Sequence, residues 1–118
     1  AGGLLKAQRW MTMARLSGLP VMCGCMIGSG LEHSANIHFW VANQWASQFL
    51  NESTGPMTIH GTWDSKKIKP GSDLANEMPR FKGGLAWPNE GPGFGITLNE
   101  DFLLRNRTRG KQPRVLTL

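Results

Sequence analysis

The sequence contains only two cysteines, Cys23 and Cys25, among its 118 residues. Small secreted proteins that depend on disulfides need more cysteines at wider spacing, so this class of protein is excluded. At positions i and i+2 of an extended segment, both side chains would share one face of a strand. No second cysteine pair and no suitable histidine partner follows. We therefore predict two buried or pocket-lining thiols rather than a metal site.

The sequence also lacks a long apolar run. One stretch without a charged residue, 16–31, is interrupted by several glycines and a proline, and it is too short and too broken for a membrane-spanning helix. The first residues contain Lys6, Arg9 and Arg15 within a helical pattern, which is not typical of a secretory signal peptide. We expect a cytoplasmic protein without a membrane partner.

Acidic residues are missing from the last fourteen positions, 105–118, which carry five of the thirteen lysines and arginines. Without this tail, eight basic residues balance eight acidic ones, so the net charge of +5 belongs to the tail. A basic tail can bind nucleic acid, but here no aromatic residues alternate with the arginines as base stacking would favour. We expect a solvated, disordered tail and no nucleic-acid partner.

The first half of the chain alternates between helical and extended patterns. Apolar spacing predicts a helix over 4–18 that ends at Gly18, and the uncharged run 19–26 is typical of a strand covered on both faces. A second helix is predicted over about 31–45, with Leu31, Ala35, His38, Ala42 and Trp45 on its buried face. A short strand would then end near residue 52. This order predicts a parallel α/β architecture.

The second half is less regular. Residues 53–80 are rich in turn formers and lack a sustained period, which favours a surface segment or a lid. A hairpin turning at Gly83-Gly84 is predicted over 80–87, followed by a strand at 94–98. Asn99 is placed to cap a short helix that ends near Leu104. Two such strands and two helices do not close a core, so the chain either assembles with another chain or is a piece of a longer one.

The stretch FLNESTGPM, 49–57, has two interpretations. Asn51-Glu52-Ser53 is an N-glycosylation sequon, which would mark an exposed loop of a secreted protein. Alternatively, Glu52 is a carboxylate at the end of a strand, before a Gly-Pro turn. The expected cytoplasmic location weakens the sequon. Of the three histidines, His38 is expected to be a packing residue, and His33 and His60 are no stronger as catalytic candidates.

Four segments, in order, resemble the C-terminal part of the mandelate racemase/muconate lactonizing enzyme family of the enolase superfamily. GGLLKAQRWMTMARLSGLPV resembles the helix and the entry into the family's seventh barrel strand, and GCMIGSGLEHSANIHF resembles its Gly-Cys-Met-Leu-Glu-Ser-Gly run. NESTGP resembles the eighth-strand segment, and GGLAWPNEGPGFGITLNEDFL resembles the closing segment of the capping region. Each segment alone is a weak signal, but four in register are specific.

The resemblance implies an α/β fold: the C-terminal portion of a modified (β/α)7β TIM-type barrel plus a small piece of the α+β capping domain. Residues 1–58 would supply the last helices and the seventh and eighth strands. Residues 59–104 would return to the capping domain, and 105–118 would be the basic tail. The resemblance also implies a homo-oligomeric full-length enzyme, whose remaining barrel is the partner of this chain.

The family's shared chemistry is removal of the proton α to a substrate carboxylate, giving an enolate that a Mg²⁺ ion stabilises. In the family, the metal ligands and the basic lysines precede the region matched here, so no metal ligand is expected in this chain. Glu52 is the expected catalytic residue, acting as an acid or electrostatically at the substrate oxygen. Cys25, Met26 and Gly28 would contact a small carboxylate substrate.

Two departures from the family bear on the reaction. Gly28 stands where the family often has Glu, which affects specificity. The segment PVMCGCM has no histidine at the end of the seventh strand, which favours a branch with a pair of lysine bases. That branch includes racemases, epimerases, cycloisomerases and dehydratases, and it is not resolved further. A non-catalytic assembly module that uses exposed strand edges and the basic tail stays an alternative.

Overall fold

A computed structural model describes residues 2–108 of the chain. Four helices, two short strands and two single 3₁₀ turns follow one another in it: α1 (Leu4–Leu16), α2 (Gly30–Val41), a turn (Ala46–Gln48), α3 (Gly55–His60), a turn (Ser65–Lys67), β1 (Arg80–Lys82), β2 (Leu85–Trp87) and α4 (Glu100–Asn106). The result is a small α/β unit in which helices dominate. Within the described residues, no helix is both long enough and apolar enough to cross a bilayer.

Helix α1 ends as its sequence predicts. Gly18 has a left-handed φ of 66°, its N–H donates to the carbonyl of Arg15, and the N–H of Leu19 donates to the carbonyl of Ala14. This pair of bonds is the Schellman arrangement, which satisfies carbonyls that have no partner inside the helix. The predicted helix over 4–18 is therefore confirmed, including the glycine that stops it.

Helix α2 is confirmed in type but is shorter than predicted. It ends at Val41 because Asn43 competes for its last carbonyls: the side-chain Nδ2 donates to the carbonyl of Phe39, and the backbone N–H donates to that of Trp40. Its buried residues are also not the predicted ones; they are Gly30, His33, Ser34 and Ile37. The helix carries apolar residues on nearly every face, so its pattern alone could not select the buried face.

The strands predicted at 19–26, before residue 52, and at 94–98 are wrong for the described residues. A strand needs a neighbour for its ladder of hydrogen bonds, and here the first two segments share one backbone bond, from the N–H of Glu52 to the carbonyl of Cys23. At 94–98 there is one isolated bridge, between Ala75 and Leu98. The parallel alternation is therefore not formed by these residues.

The predicted hairpin is confirmed. Strand β1 pairs antiparallel with β2, with Phe81 opposite Ala86, and Gly83 and Gly84 occupy the loop with φ of 58° and 75°. Two consecutive residues at positive φ give the two-residue turn whose twist matches that of the strands. Helix α4 is confirmed as well, since the side chain of Asn99 accepts a 3.0 Å hydrogen bond from the N–H of Phe102.

Helix α3 was missed in a segment expected to be irregular. Pro56 lies in its first turn, where the missing N–H costs nothing and the fixed φ favours helix. Gly61 then ends the helix at a φ of 68°. A Gly-Pro pair is as typical of a helix start as of a turn, so the expectation of a turn alone is wrong here.

The described residues form a small core and leave much apolar surface uncovered. The buried hydrophobic residues are Met11, Cys25, Ile37, Ala46 and Ala75. Large exposed apolar side chains are far more numerous, and the most exposed are Leu5, Leu16, Met26 and Leu50, each at 76% exposure or above. Contiguous apolar surfaces often mark contacts with other protein, and these exposed side chains are candidates for such a contact.

Candidate functional site

The two segments that were predicted as strand ends do meet, through side chains more than backbone. The backbone N–H of Cys25 donates to Oε2 of Glu52 over 3.1 Å, and the N–H of Cys23 donates to Oδ1 of Asn51 over 3.1 Å. The N–H of Glu52 donates in turn to the carbonyl of Cys23 over 3.2 Å. These three bonds fix the Glu52 carboxylate beside the 23–25 segment.

Both polar atoms of the Asn51 side-chain amide make hydrogen bonds. Besides accepting from Cys23, it donates from Nδ2 to the carbonyl of Phe49 over 3.1 Å. The nitrogen that a glycan would need is thus already part of an internal hydrogen bond. The structure supports a positioning role for Asn51 next to Glu52.

Glu52 borders an open cleft of about 960 Å³. One wall is helix α2, through Asn36 and Trp40, and another is the β1–β2 hairpin. Cys23 and Glu52 also line the cleft, and the N–H of Glu52 donates to the Cys23 carbonyl. The cleft is mainly apolar with a few polar groups, which is the usual composition of a small-molecule site.

Burial raises the pKa of the Cys23 thiol above its ordinary value, and the neighbouring Cys25, Glu32 and Glu52 add to this effect. Both desolvation and nearby negative charge disfavour a thiolate. Cys23 is therefore a neutral thiol at physiological pH, which fits a pocket-lining side chain. A nucleophile or a metal ligand would require the opposite shift.

The predicted substrate-contacting residues are placed differently from one another. Cys25 is 8% exposed and offers its backbone N–H to Glu52, while its thiol faces His33. Met26 is 85% exposed and extends into solvent. At Gly28, a side chain would begin where the Glu32 carboxylate lies, so Glu32 fills the space that the glycine leaves. Glu52 and Cys25 are brought together, and Cys23 rather than Cys25 lines the cleft.

His33 lies beneath this site and was not singled out from the sequence. Its Nδ1 is 2.9 Å from Oγ of Ser53, its Nε2 is 3.6 Å from Sγ of Cys25, and the residue is 1% exposed. Burial lowers its pKa, and this effect outweighs Glu32, Asp73 and the Gly28 carbonyl, which all favour the charged form. The one sequence feature that could have pointed to His33 is its position in the first turn of a helix, just after Gly-Ser-Gly.

Asp73 joins the start of α2 to the segment after α3. Its Oδ1 accepts from the N–H of Gly30 over 2.8 Å and of Ala75 over 3.0 Å, and its Oδ2 is 3.1 Å from Nε2 of His60. Asp73 is 4% exposed. An aspartate that caps a helix 43 residues earlier in the chain has no local sequence signal. His38 has the packing role that was predicted, because its Nε2 is 3.2 Å from the Phe94 carbonyl.

No group of three or more histidine, cysteine, aspartate or glutamate side chains in residues 2–108 could hold a metal ion. The donor set of this part of the chain therefore does not fit a Mg²⁺ site, which needs carboxylates converging on one point. Any such ion would need ligands from outside these residues.

Comparison with known proteins supports one family. The family described as enolase C-terminal domain-like matches residues 1–102. Among solved structures, the crystal structure of a mandelate racemase/muconate lactonizing family protein from Azoarcus sp. EbN1 is similar, with a TM-score of 0.85 and 55% sequence identity. The match covers 98% of this chain but 30% of that chain, so this chain spans less than a third of its relative. No curated protein matches the chain significantly.

Proposed function

Because this chain belongs to the mandelate racemase/muconate lactonizing enzyme family of the enolase superfamily, we propose that it is the C-terminal part of an isomerase or lyase that removes the proton α to a substrate carboxylate. The observation that carries this proposal is the position of Glu52. Its carboxylate borders an open cleft and is held there by the N–H of Cys25. A small-molecule carboxylate is the proposed substrate.

The chemistry gives Glu52 a specific task. A proton α to a carboxylate is weakly acidic, so its removal requires stabilisation of the enolate oxygen in a site with little water. Oε2 of Glu52 is engaged by Cys25, and within residues 2–108 no hydrogen bond engages Oε1. That free oxygen can carry a proton and donate it as a hydrogen bond to the developing oxyanion. The backbone bond orients the carboxyl group for this role.

A Mg²⁺ ion would supply the main electrostatic stabilisation of the enolate in this proposal, with ligands from sequence outside this chain. The part of the chain that the structure describes holds no suitable donor set, as found above. What these residues contribute is the wall of the cleft and the carboxyl group of Glu52. Cys25, Met26 and Gly28 stay predicted substrate contacts, of which Cys25 has the direct link to Glu52.

The uncovered apolar surface supports the proposal that the rest of a barrel is the partner. The relative of 55% identity is more than three times longer than the matched region. The exposed side chains of Leu5, Leu16, Leu19 and Met22 on and after α1 are those that neighbouring barrel elements would cover. We therefore expect the chain alone to be inactive. The division into 1–58, 59–104 and 105–118, the homo-oligomeric state and the cytoplasmic location stay predictions.

Exchange of the α proton in D₂O tests the function. The full-length gene product that contains this chain is incubated with Mg²⁺ and a panel of small carboxylic acids, and NMR follows loss of the α-proton signal. We expect exchange for at least one acid with the full-length protein and none with the 118-residue chain. Rapid exchange by the isolated chain would contradict the proposed need for upstream residues.

The exposed apolar side chains also favour a second candidate, a non-catalytic assembly module. Size-exclusion chromatography with thermal melting separates the two. A monomer of the isolated chain with a cooperative transition supports an independent module, while aggregation or absence of a transition supports a segment of a larger domain. Binding through the basic tail, most of which lies outside the described residues, is tested by deleting 105–118 and measuring single-stranded DNA affinity.

A further inference from the structure

His33 connects the two segments that form the candidate site. It belongs to the first turn of α2 and lies between the 23–28 segment and the residues that follow Glu52. At 1% exposure it does not contact solvent and cannot contact a substrate directly. Its influence on the site must act through the groups that it touches.

These groups come from both segments. The 2.9 Å contact of Nδ1 reaches Ser53, the residue next to Glu52 in sequence, and the 3.6 Å contact of Nε2 reaches Cys25, whose N–H holds the Glu52 carboxylate. Gly55 allows this approach, because a side chain there would overlap Nε2 of His33 and come within 2.6 Å of the Gly28 carbonyl oxygen. The ring is thus enclosed by the two chain segments that it joins.

The surroundings select one form of the ring. The Gly28 carbonyl can only accept a hydrogen bond and favours a ring N–H, and Nδ1 already faces the Ser53 hydroxyl, so we assign the proton of the neutral ring to Nε2. Nδ1 is then an acceptor, and the Ser53 hydroxyl donates to it. Glu32 and Asp73 favour a charged ring, but burial has the larger effect and lowers the pKa of His33.

Other polar groups near the ring do not change this assignment. Cys25 offers a thiol, and His60 is already bonded to the Oδ2 atom of Asp73. Protonation of the ring would reverse the Ser53 bond, because Nδ1 would become a donor and the hydroxyl hydrogen would need a new acceptor. It would also place a charge in a buried site.

We propose that His33 is a positioning residue for Glu52: in its neutral Nε2–H form it ties Ser53 to the 25–28 segment and so keeps the Glu52 carboxyl group against the N–H of Cys25. This rests on the proposed function only for what Glu52 does, since the contacts themselves need no reaction. The Cys25 N–H bond to Glu52 is therefore firm while His33 is neutral and weakens when the ring gains a proton.

Amide hydrogen exchange on the full-length gene product tests whether His33 links Ser53 to the 25–28 segment. Ser53→Ala removes the hydroxyl that contacts His33, and Ser53→Thr keeps a hydroxyl at this position. Ser47→Ala is the control, because the Ser47 hydroxyl donates to the Gln44 carbonyl in an exposed turn. We expect peptides covering 23–25 and 50–52 to exchange about fivefold faster in Ser53→Ala, as for loss of one hydrogen bond, and at the normal rate in the other two variants. Equal exchange in Ser53→Ala and the unaltered protein would overturn the proposal.

Two spectroscopic readings address the ring itself, in the same protein with ¹⁵N-labelled histidine. We expect the Nε2–H tautomer of neutral His33 at pH 7. Below pH 6.5, the protection factor of the 23–25 peptide, which is the intrinsic exchange rate at the same pH divided by the observed rate, should fall as His33 gains a proton. In His33→Asn that pH dependence should disappear. A charged ring or an Nδ1–H tautomer at pH 7 would contradict the proposal.

The same contacts could in principle activate Ser53 as a nucleophile, which a fluorophosphonate probe would detect. We expect no labelling of Ser53, and covalent labelling would replace the positioning role by a catalytic one. None of these measurements follows the α proton of a substrate. If the enolate reaction is not found, the amide-exchange results on His33 and Ser53 still hold. If the amide-exchange results contradict the positioning role, the proposed reaction is not affected.

Discussion

The backbone N–H of Cys25 donates a 3.1 Å hydrogen bond to Oε2 of Glu52, across 27 positions of sequence. This bond joins the two segments that carry the resemblance to an enolase-type site and leaves Oε1 without a partner among residues 2–108. It uses a backbone group, so it does not depend on the identity of residue 25. What it does depend on is the carboxyl group of Glu52 and the path of the chain around it.

The first prediction concerns Glu52 itself. If the proposed function holds, Glu52→Ala in the full-length protein should lower kcat for α-proton exchange by about 100-fold, because it removes the group proposed to face the developing charge. Glu52→Gln keeps an oxygen for the Cys25 N–H and an N–H₂ donor for the substrate. If Glu52 acts as a protonated donor, the Gln variant should therefore retain more activity than the Ala variant.

Steady-state kinetics by NMR, with circular dichroism to confirm folding, separates these outcomes. Equal losses in both variants would assign Glu52 an electrostatic role through its negative charge. Unchanged kcat in Glu52→Ala would remove it from the catalytic machinery. Asn36→Ala, at another residue that lines the same cleft, is the control for a general change in cleft shape.

The second prediction concerns the Cys23 thiol. Burial is the main reason that its pKa is raised, and Cys25, Glu32 and Glu52 add to it, so less thiolate is present at pH 8 than in a free cysteine. Alkylation by iodoacetamide at pH 8 should be slower than for a cysteine in a short peptide. Glu32→Gln removes one of the charges and should accelerate the reaction.

Peptide mass spectrometry distinguishes Cys23 from Cys25 and gives the rate at each site. Glu90→Gln, which changes the net charge by the same amount without being among the groups that act on Cys23, is the matched control. Alkylation of Cys23 that is faster than that of the free peptide would contradict a neutral, desolvated thiol.

The features that sequence predicted correctly are those set by neighbours along the chain. Gly18 ends α1, Gly83-Gly84 turns the hairpin and Asn99 caps α4, and each depends on a few adjacent residues. The predicted strands failed because a strand is defined by a partner, and within the described residues 19–26 has no ladder. An apolar run without polar alternation predicts that a strand needs neighbours on both sides, but it does not say which residues those neighbours are, and this need stays a prediction.

The residues of the candidate site also differ in whether the sequence could predict them. Glu52 is predicted through a motif match to a family to which the chain belongs, and its catalytic role stays a prediction. His33 and Asp73 were missed because their partners are distant: Ser53 is 20 positions from His33, and Gly30 is 43 positions from Asp73. Neither spacing corresponds to a helical or strand period, so no pattern in the sequence indicates that these side chains meet.

The third prediction concerns Asp73. It accepts two backbone hydrogen bonds and contacts His60 while 4% exposed, so Asp73→Ala leaves the N–H groups of Gly30 and Ala75 buried without partners. We expect a loss of roughly 3 kcal/mol in the free energy of unfolding. Chemical denaturation of the full-length protein measures it.

A matched control is available in the same region of the chain. Asp64 pairs with Lys67 at the surface and caps one 3₁₀ turn, and Asp64→Ala should cost about 1 kcal/mol or less. Equal effects of the two substitutions would mean that Asp73 does not hold the start of α2. Asp73→Asn should give an intermediate loss, since its oxygen can still accept from the backbone.

The last prediction concerns the close approach at Gly55. A methyl group there would overlap Nε2 of His33 and meet the Gly28 carbonyl oxygen at 2.6 Å, and neither a buried ring nor a backbone carbonyl can move aside easily. Gly55→Ala should therefore destabilise the protein by roughly 2 kcal/mol, as overpacking of a core does.

Two other glycines provide controls. At Gly24, nothing lies within 4 Å of the added atom, so Gly24→Ala should change stability little. At Gly28, the obstacle is the end of the Glu32 side chain, which can swing into solvent, so Gly28→Ala should also be mild. Thermal melting ranks the three variants by stability. A Gly55→Ala variant as stable as Gly24→Ala would show that His33 is not packed against this position.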